Sequence, residues 1–142
     1  MSHELLRVFV YGTLKPGEEN YFGYCHHNVV AAVEAIAYGA LHSLPMGYPA
    51  MTVGNSPVYG YLLTFDDFLV LQQLDWLEDY DPTRPPEANE YSRDEIEILS
   101  LDRQPLGLAW VYQMSTAQAI QMGGTVVPDG NWKSQEFQPI PS

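Results

Sequence analysis

One cysteine, six cationic side chains and no long apolar run are what this 142-residue chain has least of. A single cysteine forms neither an internal disulfide nor a multi-thiolate zinc site. Six Lys and Arg against 18 Asp and Glu give a formal net charge of −12. That leaves no basic stripe to neutralise nucleic-acid phosphates or to hold an anionic membrane surface. No segment approaches the ~20 apolar residues of a membrane span. The start, Met1-Ser2-His3-Glu4-Leu5-Leu6-Arg7-Val8-Phe9-Val10, has an early acid and too short an apolar run for a signal peptide. With 46% hydrophobic residues the chain is not a disordered acidic polymer either. The expectation is one soluble, cytoplasmic domain over 1–142, without nucleic-acid or membrane partners, and nothing in the sequence fixes an oligomeric state.

Glycine and proline, 11 of each, punctuate a compact fold with many turns. Leu6 to Tyr11 reads as a buried strand stopped by Gly12 and Lys15-Pro16-Gly17, and Asn20 is placed to cap a helical turn from Tyr21. Val29 to Leu41 is ambiguous: its alanines favour helix, while Val33, Ile36 and Tyr38 suit a strand. Residues 42–57, rich in Pro, Gly and Ser, read as a loop. Val58 to Phe65 predicts a strand, and Asp66-Asp67 a cap for a helix over 67–79. The prolines between Asp81 and Asn89 predict irregular surface. Residues 91–99 and 106–114 predict a hairpin across the Asp102–Pro105 turn. From about 123 the chain is a polar, turn-rich C-terminal extension with Trp132 and Phe137 as anchors. Five strands with one clear helix and one or two others give an α+β domain.

Two places carry chemistry. Tyr11-Gly12-Thr13-Leu14-Lys15-Pro16-Gly17 has the glycine spacing of a phosphate loop, but Glu18-Glu19 stand where Lys and Ser or Thr are needed, so nucleotide binding is rejected. Two readings remain: an ordinary strand-ending turn, or a nest in which the amides of Gly12, Thr13 and Leu14 take one carboxylate, with Lys15 nearby. The second place is Glu78. Winding 67–79 at about 100° per residue puts Val70, Leu71, Leu74 and Leu77 on one stripe, with Glu78 between Leu71 and Leu74. A carboxylate there is either held in a pocket with a raised pKa, fit for proton transfer, or swung into solvent at a frayed helix end. Tyr91, Arg93 and Tyr112, on the two hairpin strands, are further ligand-orienting candidates.

Other constellations do not assemble. Cys25-His26-His27 lacks an orienting acid, and the four histidines lack ligand spacing for zinc. Asp75, Glu78, Asp79 and Asp81 lack a calcium-loop pattern and read as a solvated helix end.

Val8-Phe9-Val10-Tyr11-Gly12-Thr13-Leu14-Lys15-Pro16-Gly17 with Asn20 resembles the signature of the gamma-glutamylcyclotransferase-like superfamily, which includes the gamma-glutamylamine cyclotransferases and the avirulence-induced-gene-like proteins. Gly39-Ala40-Leu41, Tyr48-Pro49-Ala50, Val58 to Leu63, Leu74-Asp75-Trp76-Leu77-Glu78, Tyr91-Ser92-Arg93, Ala109 to Tyr112 and Pro128 to Trp132 follow in the family's order. The resemblance implies a small mixed β-barrel with flanking helices, residues 33–41 being one strand. It implies that the loop Tyr11, Gly12, Thr13, Leu14 binds the γ-glutamyl end of a small-molecule substrate and that Glu78 is the catalytic carboxylate. It implies cofactor-free release of 5-oxoproline and an amine, with no metal. Tyr91 and Tyr112 would orient Glu78 or the substrate. The alternative is a non-catalytic module binding γ-glutamyl or acidic amino-acid derivatives. Two features depart from the pattern: Asp79 where the family usually has glycine, and a long stretch from Asp81 to Glu90.

Overall fold

The computed structural model describes residues 5–12, 14–15, 29–85 and 88–132. Thr13, the turn at Asn20 and Tyr21, Cys25-His26-His27 and Phe137 lie outside them. Strand β1 spans Leu6–Val10, β2 Val29–Ser43, β3 Pro49–Phe65, β4 Ser92–Ser100, β5 Pro105–Gln113 and β6 Thr125–Val126. Helices α1, Leu69–Leu77, and α2, Thr116–Gln121, lie between β3 and β4 and between β5 and β6. The strand order β3-β1-β5-β4-β2, with β2 returning to β3, closes a five-strand mixed barrel. Among the described strands only β1 and β5 run parallel, and β6 adds to the end of β2. This is the α+β class that the sequence predicts and the small mixed barrel with flanking helices that the resemblance implies. No helix among the described residues is long and apolar enough to cross a membrane.

The barrel decides which side chains go where. All five of its strands send residues into one interior cluster that includes Phe9, Ala37, Val58, Leu62, Ile98 and Val111. A second cluster lies outside the barrel, where Leu6, Val8, Val10, Leu63 and Phe65 meet Val70 and Leu74 of α1. Strand β1 is therefore buried on both faces, which is why its sequence is an almost unbroken apolar run. The ambiguity over 29–41 resolves in the same way. Ala35 and Ala37 are fully buried because a narrow barrel interior needs small side chains, a demand that outweighs their helix preference.

The loop expected over 42–57 is a correction. Only residues 44–48 turn, and β3 begins at Pro49, opposite Ser43. The turn-forming composition is absorbed by an irregularity in the ladder: Ala40 pairs with Thr52, but Gly39 pairs with Ser56. Val53-Gly54-Asn55 bulge out between them without ending the strand. Helix α1 starts where Asp67 Oδ1 accepts the Leu69 N–H at 2.9 Å. Helix α2 is capped by Ser115, whose side chain accepts from the Gln118 N–H; the Ser-x-x-Gln pattern was the overlooked signal for it.

Candidate active site

A cavity of about 300 Å³ opens where the end of β1, the 44–48 turn, the C-terminus of α1 and the start of β4 converge. Its inner wall is buried and aromatic: Phe9, Tyr11, Tyr91 and Tyr112. Its mouth is more open, formed by exposed Met46 and Gly47 and half-buried Tyr48. Among the described residues, Glu78 and Glu90 are the two carboxyl groups in the lining.

Glu78 reaches the cavity because of how α1 ends. It is the C-cap residue, and its N–H donates to Leu74 O at 2.9 Å. Beyond it, Tyr80 N–H donates to Asp75 O at 2.9 Å and Asp79 N–H to Trp76 O at 3.3 Å, the paired bonds of a Schellman turn. Such a turn needs a left-handed residue, and Asp79 supplies it with φ +53°. The departure from the family's glycine therefore leaves the helix-end geometry intact, since aspartate tolerates this region better than most residues. Glu78 is half-buried, and among the described residues no hydrogen-bond donor contacts its carboxyl. Burial, reinforced by the charge of Glu90, pushes its pKa up to about 8.

Three tyrosines form the inner wall and hold each other's elements together. Tyr11 donates to Tyr112 O at 2.5 Å and accepts from the Met51 N–H at 3.1 Å. Tyr91 donates to Pro49 O at 2.7 Å. Tyr112 donates to Asp75 Oδ1 at 2.6 Å. Burial first, and the negative charge of Glu78 among the further causes, pushes all three phenols far above their ordinary range. They stay neutral. With their hydroxyl protons committed to Tyr112 O, Pro49 O and Asp75, Tyr91 and Tyr112 shape the cavity and fix its walls; neither hydrogen-bonds to Glu78.

The Gly12 turn lines the same cavity through Tyr11, Gly12 and Leu14. Lys15 N–H donates back to Gly12 O at 3.0 Å, closing the turn. Lys15 Nζ donates to the Trp132 carbonyl, so its charge ties the C-terminal segment to this turn. Gly12 has no positive φ; a Cβ there would lie 2.6 Å from Pro49 Cγ. Glycine is required by the close approach of the first residue of β3.

The acidic cluster read as a solvated helix end comes apart on folding. Asp75 Oδ1 accepts from Arg93 Nε at 2.8 Å as well as from Tyr112. The Arg93 guanidinium in turn lies 4.5 Å from the Trp110 ring centroid and 5.2 Å from that of Tyr80. Arg93, a sequence candidate for ligand contact, is thus a structural partner of α1. Asp79 pairs with Arg84 at 3.1 Å in an exposed contact. Asp81 and Asn89 clamp the proline-rich stretch by exchanging two backbone–amide bonds, of 3.0 and 3.1 Å. That clamp delivers Glu90 to the cavity, where its carboxyl accepts from the Tyr48 hydroxyl. Glu90 and Tyr48 are the polar side chains of the lining that sequence reasoning missed as site residues. They lie 42 residues apart, and only the loop closure puts them together. Among the described residues no three His, Cys, Asp or Glu side chains converge as a metal site.

Residues 8–134 match the family model for gamma-glutamyl cyclotransferase, AIG2-like. A Vibrio cholerae protein provisionally named gamma-glutamylcyclotransferase is 33% identical over 125 residues, 88% of this chain and 93% of its own. An AIG2-like protein of Mus musculus has the same fold with a TM-score of 0.69 at 21% identity, over 94% of this chain and 91% of that one. YkqA of Bacillus subtilis superposes with a TM-score of 0.65 at 21% identity; the match covers 91% of this chain but 40% of YkqA. With the matched model spanning the barrel, the Gly12 turn and Glu78 alike, the chain belongs to the AIG2-like gamma-glutamyl cyclotransferase family.

Proposed function

We propose that this protein cleaves a γ-glutamyl amine or γ-glutamyl amino acid by cyclisation, releasing 5-oxoproline and the free amine. The observation that carries the reading is one carboxyl, Glu78, with its pKa raised to about 8, in the same cavity as the turn that ends β1. The glutamyl α-carboxylate sits against the amides of Gly12, Thr13 and Leu14. Glu78, in its ionised form, takes one proton from the α-ammonium. The freed amine attacks its own γ-carbonyl, a C–N bond closes the five-membered ring, and the former amide C–N bond breaks. The proton on Glu78 goes to the departing nitrogen; the second proton, shed by the ring nitrogen as the amide bond breaks, passes through Glu78 to the released amine, which leaves as an ammonium, so the carboxylate is regenerated.

Both reacting groups belong to one molecule, so the site's main work is to hold a curled conformer. The neutral aromatic wall suits that task, because it excludes water and offers no competing base. A group with a pKa near the working pH is the right shuttle, being able to accept and return a proton at little cost. The family's cyclotransferase activity and the relative from Vibrio cholerae support the reaction class. The test is to incubate the protein with a panel of γ-glutamyl amines and amino acids and follow 5-oxoproline. Turnover by the native chain and its loss in Glu78→Gln are expected. Tight binding of the panel without any 5-oxoproline would make the domain a binding module instead.

A further inference from the structure

Resting on that reaction, we propose that the leaving amine carries a positive charge of its own and that Glu90 with Tyr48 forms the subsite that selects it. The burial gradient of the cavity sets the orientation. The glutamyl head is the part common to all substrates and fits the closed inner end, beside buried Tyr11, Gly12 and Leu14. The leaving group, free to vary in length, projects through the mouth, where a Cβ placed on Gly47 would meet nothing within 4 Å. Glu90 belongs to that mouth through its bond from Tyr48, the last residue of the 44–48 turn.

Charge counting then decides what the mouth accepts. The glutamyl head is a zwitterion and brings no net charge. Glu90 leaves one negative charge facing the leaving group. The chain has six Lys and Arg in all, so the cations that could answer a second substrate carboxylate can be named. Arg93 is held by Asp75, Arg84 by Asp79, Arg7 by the carbonyl of Leu106 and Lys15 by that of Trp132. Arg103 is exposed in the turn between β4 and β5, and Lys133 lies outside the described residues. None of the five cations within the described residues lines the cavity. Among the described residues, therefore, no cation answers an amine that bears a carboxylate against Glu90, whereas an ammonium a few carbons from the scissile nitrogen gains a partner. Like-charge placement of this kind is a strong device for rejecting a competitor. The class indicated is a γ-glutamylated diamine or polyamine, or an amine of similar cationic character.

Three compounds with the same four-carbon chain separate the alternatives: γ-glutamyl-butylamine, γ-glutamyl-1,4-diaminobutane and γ-glutamyl-4-aminobutyrate. The expected order of kcat/KM is cation above neutral above anion, with cation and anion on the order of 100-fold apart. Glu90→Gln retains an acceptor for Tyr48 but loses the charge, and narrows that ratio by about tenfold. An anionic compound turned over as well as the cationic one, or a ratio unmoved in Glu90→Gln, overturns the charge selection while the cyclotransferase reading stands. If neither these three nor the wider panel of γ-glutamyl amines and amino acids yields 5-oxoproline, the cyclotransferase reading fails. Calorimetric affinities for the same compounds still decide the subsite: cation bound most tightly supports it, and equal affinities overturn it.

Discussion

Asp75 and Glu78 stand one helical turn apart on α1 and meet opposite fates. Asp75 is closed in by Arg93 and Tyr112, both bonded to the same carboxylate oxygen. Glu78 faces the cavity with tyrosines around it and a second carboxylate, Glu90, nearby. One acid is neutralised and makes structure; the other is left costly and available for chemistry. The difference is made by β4 and β5, which bring a guanidinium to Asp75 and only neutral hydroxyls to the cavity. A stabilising partner for Glu78 would lower its pKa and end its usefulness as a proton shuttle.

The largest effect should come from breaking the reactive half of this pair. Glu78→Gln is expected to lower kcat for 5-oxoproline release by about 10²–10⁴. In the native protein kcat/KM should rise with pH to a plateau above about 8, because the base works only when ionised; a profile flat across that range would remove Glu78 as base.

The same substitution sharpens the comparison through stability. The folded protein holds a proton on Glu78 up to about pH 8, against 4.5 for an unburied carboxyl. Between those values the folded state binds more protons than the unfolded one, so this group's contribution to stability is lost as pH rises through the window. Glu78→Gln has no charge to bury and should gain in Tm over the native chain as pH rises toward 8. An unchanged or shrinking difference would show that the carboxyl is not desolvated.

Breaking the structural half acts on the fold. Asp75→Ala leaves the Arg93 guanidinium without its carboxylate and Tyr112 without its acceptor, and should cost about 2–3 kcal/mol in denaturant unfolding. Adding Arg93→Met should recover part of that loss, since it removes the stranded charge; no recovery would mean that Asp75 acts mainly through Tyr112.

At the turn facing Glu78, Gly12→Ala forces a Cβ toward Pro49 and should raise KM by about tenfold while the fold persists, as overpacking of this size costs roughly 1–3 kcal/mol. The smallest effect belongs to Asp79→Gly. Relief of the left-handed conformation, worth about 1 kcal/mol, is set against loss of the exposed Arg84 contact. Thermal unfolding should move by less than about 1 kcal/mol; a larger loss would mean that the Arg84 pair anchors the loop leading to Glu90.

Much of the fold was legible because burial leaves a pattern along the chain. The apolar run of β1, the alternation in β4 and the stripe of α1 each record which faces meet a core. Residues 42–57 misled for a related reason: composition registers turn-formers, and it does not register that Val53-Gly54-Asn55 can bulge within a continuous ladder. Gly12 was visible as a glycine, yet its cause, the ring of Pro49, belongs to a strand 37 residues away. Winding alone put Glu78 inside an apolar stripe, since the period of a helix is a local property of the backbone.

What no local property holds is the company a side chain keeps. The sequence alone determined strands β1, β4 and β5, the helix α1, the excess of acid and the position of one carboxyl among leucines. Barrel closure decided that Asp75 would find Arg93, that the tyrosine hydroxyls would be used on backbone and Asp75, and that Glu90 would meet Tyr48 at the cavity mouth. Electrostatic environment depends on distances in space, and in a closed sheet those distances are set by strands far apart in the chain.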